Sequence, residues 1–323
     1  MNYERRYSEI AAWLKCPRQH YYAWQLGLEP ARPNFKMIYG LLFHKGMEAY
    51  WKGRLIELEV VNYAKELQAK YSDSLIDEDL ELIHKQAIVA LENVNKAIKE
   101  FKCEEYECIG AEVEIKIEVV IPTIIVGHID AVLKHKETNE LWIVDYKTRA
   151  KFKDNEEELY NMQLALYTRI WEAKGLGNVA GTMVWQASNK QEESPRMLKS
   201  GAMSREKINC TWDKYKKALL DNGLNPLDYF DMERKLDLKS EFSCIVNRKD
   251  KIIVDNIFEE IISALLLMRH NNIKHRNLIP NNCNFCDYKK ICYAELSGTD
   301  TDLILKNYYT RRDLKNVHHK EEA

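Results

Sequence analysis

The sequence predicts a mixed α/β fold, in which a central mixed β-sheet is flanked by helices and carries a helical cap. Residues 109–121 alternate charged and apolar side chains, which is the pattern of a half-buried strand. Residues 124–148 contain two apolar runs joined by a short polar turn, which predicts a β-hairpin. Residues 54–101 show charge-rich helical patterns, whose two expected helices predict the cap.

Composition favours one compact body. The chain has 323 residues, only 12 Gly and 7 Pro, and no internal repeat, so a string of small modules is not expected. It lacks a run of about 18 uncharged apolar residues and a signal-peptide core, so we expect a cytoplasmic protein without a membrane span. The net charge of −2 means that binding to nucleic acid would need a local cationic surface.

The remaining elements follow in chain order. Ser8 is the expected N-cap of a first helix, and residues 109–121 should precede the hairpin in a meander. Further helices are predicted at residues 36–52, 54–71, 77–102, 156–174 and 251–270, and further strands at residues 179–187 and 241–246.

The hairpin is the most informative stretch of the chain. If its turn is centred between Glu137 and Thr138, Asp130 lies directly opposite Asp145. Opposed residues of an antiparallel pair point to the same face, with Cβ atoms about 5 Å apart. Lys147 follows Asp145 by two residues, so it shares that face.

Two opposed carboxylates predict a cation site. At about 5 Å they repel by about 3–4 kcal/mol at an effective dielectric of about 20. A divalent ion held between them removes this cost, and hard oxygen ligands suit Mg²⁺ or Mn²⁺. With a lysine alongside, the group is equipped for metal-assisted phosphodiester hydrolysis. The alternative is a surface hairpin with scattered charges.

The pattern Gly127-x-x-Asp130, followed by Asp145-Tyr-Lys-Thr, resembles the PD-(D/E)XK nucleases of the RecB-like branch. The resemblance implies a restriction-endonuclease-like core, in which Asp130, Asp145 and the backbone carbonyl of Tyr146 bind the metal. It also implies that Lys147 completes the catalytic site. The usual Pro-Asp pair of the family is Ile-Asp here, a departure that leaves the chemistry intact.

Three further positions extend this resemblance. Gly40-Leu-Leu-Phe-His44 is similar to an early helical motif whose histidine reaches the metal, although a lone histidine is more often packed or solvated. Gln163-Leu-Ala-Leu-Tyr167 matches a motif that supports the catalytic site and contacts substrate. Glu114 is the candidate for a further acid near the site, with a solvent-facing glutamate as the alternative.

Three cysteines stand in Cys-x-x-Cys-x5-Cys spacing near the C-terminus, and a tetrahedral site needs a fourth ligand. Spacing alone permits zinc. The resemblance implies a 4Fe-4S cluster of structural role, with Cys16 as the fourth ligand to Cys283, Cys286 and Cys292. The other cysteines are expected to be buried or surface thiols: Cys103, Cys108, Cys210 and Cys244.

We expect residues 1–323 to form a single nuclease domain. Its parts are predicted as cluster-binding segments at 1–30 and 275–300, a helical cap at 31–105, a catalytic core at 106–190 and an insertion at 191–240. The insertion resembles one found in phage-type members of the family. Its basic residues are candidates for phosphate contacts or, equally, for a solvated loop: Arg196, Lys199, Arg205 and Lys207.

Together the motifs predict a DNA exonuclease that acts on ends or single strands in recombination, repair or DNA processing, with a recombination protein or a helicase as a candidate partner. Two alternatives stay open. One is a CRISPR-adaptation nuclease, a group that shares the motifs but lacks the insertion. The other is a DNA-binding scaffold subunit, which the intact Asp130, Asp145 and Lys147 argue against.

Overall fold

The computed structural model describes residues 3–72, 75–120, 123–189, 193–206, 208–236, 241–269 and 274–312. Its strands are β1 (Tyr3–Arg6), β2 (Leu28–Pro30), β3 (Tyr106–Val120), β4 (Thr123–His135), β5 (Leu141–Arg149), β6 (Val179–Ser188), β7 (Phe242–Arg248) and β8 (Tyr309–Arg311). Its helices are α1 (Tyr7–Lys15), α2 (Pro17–His20), α3 (Phe35–Trp51), α4 (Ile56–Tyr71), α5 (Asp77–Glu100), α6 (Asn155–Leu159), α7 (Met162–Ala173), α8 (Trp212–Asp221), α9 (Phe230–Leu236), α10 (Lys251–Met268), α11 (Pro280–Asn284), α12 (Lys289–Leu296) and α13 (Asp302–Tyr308).

The central sheet is mixed, as predicted. Its strand order is β1-β4-β5-β6-β7, and β3 pairs with β4. The pairs β1/β4 and β5/β6 are parallel, whereas β3/β4, β4/β5 and β6/β7 are antiparallel, so β3, β4 and β5 form the expected meander. Consecutive residues are buried along β4, β5 and β6, so both faces of these central strands are apolar and need helices on each side.

Two helical layers cover the sheet. Helices α1, α7 and α10 bury Ile143, Val184 and Ile245 in one apolar core. Helices α3 and α5 cover the other face, over a core that contains Val144 and Trp185. Helices α3, α4 and α5 also pack on one another through a third apolar cluster, so this side of the molecule is several helices thick.

Strand β4 changes its partner partway along one edge. Residues 131–134 pair with β5, whereas residues 123–126 pair with β1. Residues 127–130 therefore lie where β1 and β5 diverge, with β3 still paired along the opposite edge. This fork opens a gap in the strand pairing beside the middle of β4, which is where a site can form.

Two local predictions were wrong. The single helix expected at residues 156–174 is interrupted at Tyr160 and Asn161, because the Asn161 side chain accepts hydrogen bonds from the N–H groups of Gln163 and Leu164 and starts α7 afresh. The first helix begins one residue before Ser8, and Arg6 is its N-cap without a side-chain cap bond. The other predicted helices and strands are confirmed, with ends shifted by at most three residues.

Residues 193–206 and 208–236 form a small body with its own apolar cluster around Trp212, Tyr215 and Met232. Two of its basic residues are ion-paired, since Arg205 lies 2.5 Å from Asp231 and Arg196 lies 3.9 Å from Glu206. Lys207 falls outside the described residues. No helix in the described parts of the chain has the length and apolarity to span a membrane.

Candidate active site

Asp130 lies at the fork, where its carboxylate accepts a backbone hydrogen bond that a strand carbonyl would accept in a continuous β-ladder. The β4/β5 register pairs Ala131 with Val144, and extended by one pair it places Asp130 opposite Asp145, as predicted. The N–H of Tyr146 donates to Oδ2 of Asp130 at 2.6 Å. Because the N–H and C=O of one strand residue point to the same side, the Tyr146 carbonyl also faces the fork.

Asp145 and Lys147 form a tight pair beside it. The Nζ of Lys147 lies 2.7 Å from Oδ1 and 2.6 Å from Oδ2 of Asp145, whose residue is only 3% exposed. Nζ also lies 3.4 Å from Oε1 of Gln163, and the Gln163 amide donates to the Tyr167 hydroxyl at 3.2 Å. A chain of hydrogen bonds from Tyr167 through Gln163 of α7 thus orients the lysine. Asn161 is the N-cap that starts α7.

Two glycines allow the close approach of these elements. A Cβ on Gly127 would lie 2.5 Å from the Tyr167 ring, so only glycine lets α7 come this near to β4. A Cβ on Gly40 would lie 2.9 Å from Oγ1 of Thr148, which brings α3 against β5. Both glycines are therefore needed because the absence of a side chain lets a neighbouring element pack closely, not because they adopt unusual backbone angles.

His44 reaches the fork from α3. Its Nδ1 lies 3.5 Å from Oδ1 of Asp130, and its ring packs edge-on against Tyr146 with centroids 5.5 Å apart. Glu112 completes the group, because ligand atoms of His44, Glu112 and Asp130 all lie within 4.8 Å of one another. Two carboxylates and an imidazole are a donor set that fits a divalent cation, with Mn²⁺ tolerating the nitrogen ligand well.

Sequence reasoning missed Glu112 and chose Glu114 instead. Glu114 is exposed and pairs with Lys116 and His128, and among the described residues it is not one of the three whose ligand atoms cluster with Asp130. Strict alternation puts both glutamates on one solvent-facing side, but α3 covers that side of β3 at Glu112. Glu112 also adopts φ of 52°, a left-handed conformation that alternation does not anticipate.

The charged groups at the fork shift one another's pKa values. Burial raises the pKa of Glu112 to about 7, and the nearby Asp130 charge adds to that effect. Burial also raises the pKa of Asp145, with Asp130 contributing, while Lys147 opposes the shift. For Asp130 the burial cost is outweighed by the His44 charge, by Lys147 and by the Tyr146 N–H, so its pKa is lowered. The raised pKa values of Glu112 and Asp145 reflect carboxylates that are buried and crowded at the fork, so a bound cation would stabilise their charged forms.

Opposed carboxylates, a histidine and a lysine at a strand fork define the class of divalent-metal nucleases. A family model, the PD-(D/E)XK nuclease superfamily, matches residues 7–293, and the chain belongs to this superfamily. It is accordingly a hydrolase that acts on nucleic acid, from a family that uses divalent metals, and its mixed sheet flanked by helices is the restriction-endonuclease-like core expected from the sequence.

Solved structures show only distant likeness. A protein from Eubacterium rectale named "putative exonuclease" is 11% identical, with a TM-score of 0.43 over 80% of this chain and 75% of that one. SSO0001 is 11% identical, with a TM-score of 0.29 over 71% of this chain and 80% of that one. Neither similarity is close enough to carry an argument about function. No curated protein matches the chain.

The four cysteines predicted as cluster ligands line one cavity: Cys16, Cys283, Cys286 and Cys292. Strands β2 and β8 pair beside it, and an apolar cluster with Tyr22, Tyr288 and Tyr309 joins the N-terminal and C-terminal segments. We name this region, residues 16–30 and 274–312, the cysteine lobe. The other cysteines stand apart: Cys103 and Cys210 are buried, Cys108 is half-buried and Cys244 is exposed.

The described cysteines around the cavity are too far apart to hold one zinc ion in the observed geometry. Tetrahedral zinc, with Zn–S bonds of about 2.3 Å, needs sulfur atoms about 3.8 Å apart. Among the described residues, no three cysteine ligand atoms lie within 4.8 Å of one another. The Nε of Arg276 is buried at the cavity wall without a hydrogen-bond acceptor there, which suits an anionic group with sulfur acceptors.

Replacing Glu112 by glutamine tests its place in the metal group. The neutral amide removes one anionic ligand, so we expect the affinity for Mn²⁺, measured by calorimetric titration, to fall at least about tenfold. Glu114→Gln is the matched control, since it changes the same residue type two positions along the same strand. Equal Mn²⁺ affinity in both variants would remove Glu112 from the site.

Proposed function

We propose that this protein is a DNA exonuclease that hydrolyses phosphodiester bonds at DNA ends or in single strands, using Mg²⁺ or Mn²⁺. The observation that supports the proposal is the fork, where ligand atoms of His44, Glu112 and Asp130 lie within 4.8 Å of one another and Lys147 pairs with Asp145 beside them, in a chain of the PD-(D/E)XK superfamily. The motif order of the sequence supports a role in phage-type or mobile-element recombination, repair or DNA processing. It also supports one nuclease domain spanning all 323 residues.

The proposed metal ligands are Asp130, Asp145, His44, Glu112 and the carbonyl of Tyr146. A divalent ion bound there supplies Lewis-acid stabilisation of the phosphate and lowers the pKa of a coordinated water. Lys147 contributes a fixed positive charge toward the negative charge that develops on the phosphate oxygens. Because Asp145 and Gln163 already hold its ammonium group, the lysine needs little rearrangement when substrate binds.

Gln163 and Tyr167 have supporting roles in this proposal. The Tyr167 hydroxyl is neutral, since burial raises its pKa to about 12, and it accepts the hydrogen bond that fixes the Gln163 amide. Gln163 in turn presents its carbonyl oxygen to Lys147. These two side chains hold the ammonium group on the side of the fork where a scissile phosphate would lie.

DNA needs a cationic surface, and the cysteine lobe offers one. Lys274, Lys289 and Lys290 each lie over a tyrosine ring, at 4.4, 5.6 and 3.5 Å from the centroid. In the described chain none of these three lysines pairs with a carboxylate, whereas Lys45 of α3 and the adjoining Lys52 both pair with Glu48. Ammonium groups without a carboxylate partner, beside accessible aromatic rings, suit the phosphates and bases of a single strand.

A double variant, Lys274→Gln with Lys290→Gln, tests this surface. Losing two phosphate contacts should weaken binding to a labelled single-stranded oligonucleotide and reduce the slope of log affinity against log salt by about 1.4. Lys85→Gln on α5 is the control, because that exposed lysine pairs only with Glu81 on the same helix. If the double variant kept the salt dependence of wild type, the single-stranded DNA would have to bind outside the cysteine lobe.

Linear and circular single strands distinguish an exonuclease from an endonuclease. With Mn²⁺ present, we expect the linear DNA to be degraded progressively from its ends while the covalently closed circle of the same sequence persists. Equal loss of both substrates would contradict the exonuclease proposal and leave an endonuclease. Binding without hydrolysis of either substrate would support a DNA-binding scaffold instead.

A further inference from the structure

Two adjacent residues, Arg276 and Asn277, connect both halves of the cysteine site. The backbone N–H of Asn277 donates to Sγ of Cys16 at 3.4 Å, and its side-chain amide donates to the carbonyl of Lys15 at 3.0 Å. The carbonyl of Asn277 lies 3.8 Å from Sγ of Cys283. One residue thus touches the distant N-terminal cysteine and the first cysteine of the C-terminal trio.

Arg276 is fixed in the same wall. Its Nη2 donates to Glu295 at 2.8 Å, and Glu295 also receives the Tyr22 hydroxyl at 2.5 Å and the guanidinium of Arg18. This network holds the Arg276 side chain with its Nε buried at the cavity and without an acceptor among the described residues. A buried donor without an acceptor is costly, so its retention points to a partner supplied from the cavity.

We infer that Arg276 and Asn277 are positioning residues for the iron–sulfur cluster, an inference that rests on the proposed cofactor. Asn277 holds Cys16 at the distance the trio requires, because its side-chain bond to Lys15 anchors the turn that carries the cysteine. The backbone N–H of Asn277 already donates to Sγ of Cys16, and the buried Nε–H of Arg276 is available to donate to a sulfur of a bound cluster. Hydrogen bonds to cluster sulfurs stabilise the more negative, reduced state and raise the reduction potential.

The test uses the full-length protein, purified without oxygen as wild type, Asn277→Ala and Arg276→Lys. Iron content and visible absorbance are measured first, followed by the half-life of the absorbance in air and the reduction potential. We expect Asn277→Ala to lose its cluster at least fivefold faster than wild type. Arg276→Lys keeps the charge but lacks Nε–H, so we expect a retained cluster with a more negative potential.

Asn284→Ala is the matched control, because this asparagine lies between Cys283 and Cys286 and its side-chain oxygen accepts a hydrogen bond from the Lys289 ammonium group. It should behave as wild type. Asn277→Asp, which keeps the side-chain shape without the amide donor, replaces the alanine variant if that one does not fold. If the iron-loaded variants kept the wild-type absorbance half-life and reduction potential, the positioning role would be wrong, although the cofactor proposal would remain. An iron-free wild type would overturn both.

Discussion

Replacing Asp145 by alanine is expected to lower the rate of DNA hydrolysis by about a thousandfold or more, with the fold retained. The carboxylate is the second acid of the fork and the only anion that grips Lys147 in the described structure, at 2.6–2.7 Å. Its loss therefore removes a metal ligand and releases the lysine together, and either defect alone is of the order of 10²–10³ in rate. The measurement is the initial rate on linear single-stranded DNA with Mn²⁺.

Controls for this variant come from the same region. Glu114→Ala removes an exposed acid that pairs with Lys116 and His128, so its rate should match wild type. Circular dichroism and the melting temperature establish that the Asp145 variant is folded. DNA degradation at the wild-type rate by folded Asp145→Ala would show that the activity does not come from the fork.

Replacing Cys283 by serine is expected to have the second large effect, on stability. The cysteine lobe joins the two ends of the chain through the short β2/β8 pair and a small apolar cluster, which are weak connections by themselves. A bound cluster adds linkage stabilisation of about 4 kcal/mol at a thousandfold excess over its dissociation constant. Its loss should lower the melting temperature by about 10 °C.

Cys244→Ser is the control for the cysteine variant, since that thiol is exposed on β7, outside the lobe. We expect it to keep the iron content and melting temperature of wild type. Cys283→Ser should lose most of its iron and visible absorbance. Zinc in place of iron in the wild-type protein would overturn the cluster and leave the nuclease proposal standing, because the fork contains no cysteine.

Much of the geometry of the candidate site is predictable from the sequence, because a hairpin fixes its own register. Once the turn between Asp130 and Asp145 was recognised, opposed positions followed from counting residues, and the observed pairing of Ala131 with Val144 agrees. The helical motifs were recognisable for a similar reason, since Gln163 and Tyr167 are one turn apart on one helix. Local periodicity carries such information without knowledge of the tertiary fold.

Features that depend on long-range packing were not predictable in this way. Glu112 is recruited because α3, more than sixty residues earlier, covers its side of β3, and because its own backbone turns left-handed. The fork arises because β1, only four residues long, takes over one edge of β4. The strand β8 is only three residues long and owes its existence to β2 at the other end of the chain.

Metal dependence of DNA hydrolysis is the most direct test of the site at the fork. Full-length protein is treated with a chelator, freed of metal and assayed on end-labelled single-stranded DNA, with and without added Mg²⁺ or Mn²⁺. We expect no hydrolysis by the metal-free protein and full recovery with either ion, but no recovery in Asp130→Asn. Hydrolysis at an unchanged rate by the metal-free protein would contradict a cation-assisted reaction at Asp130 and Asp145.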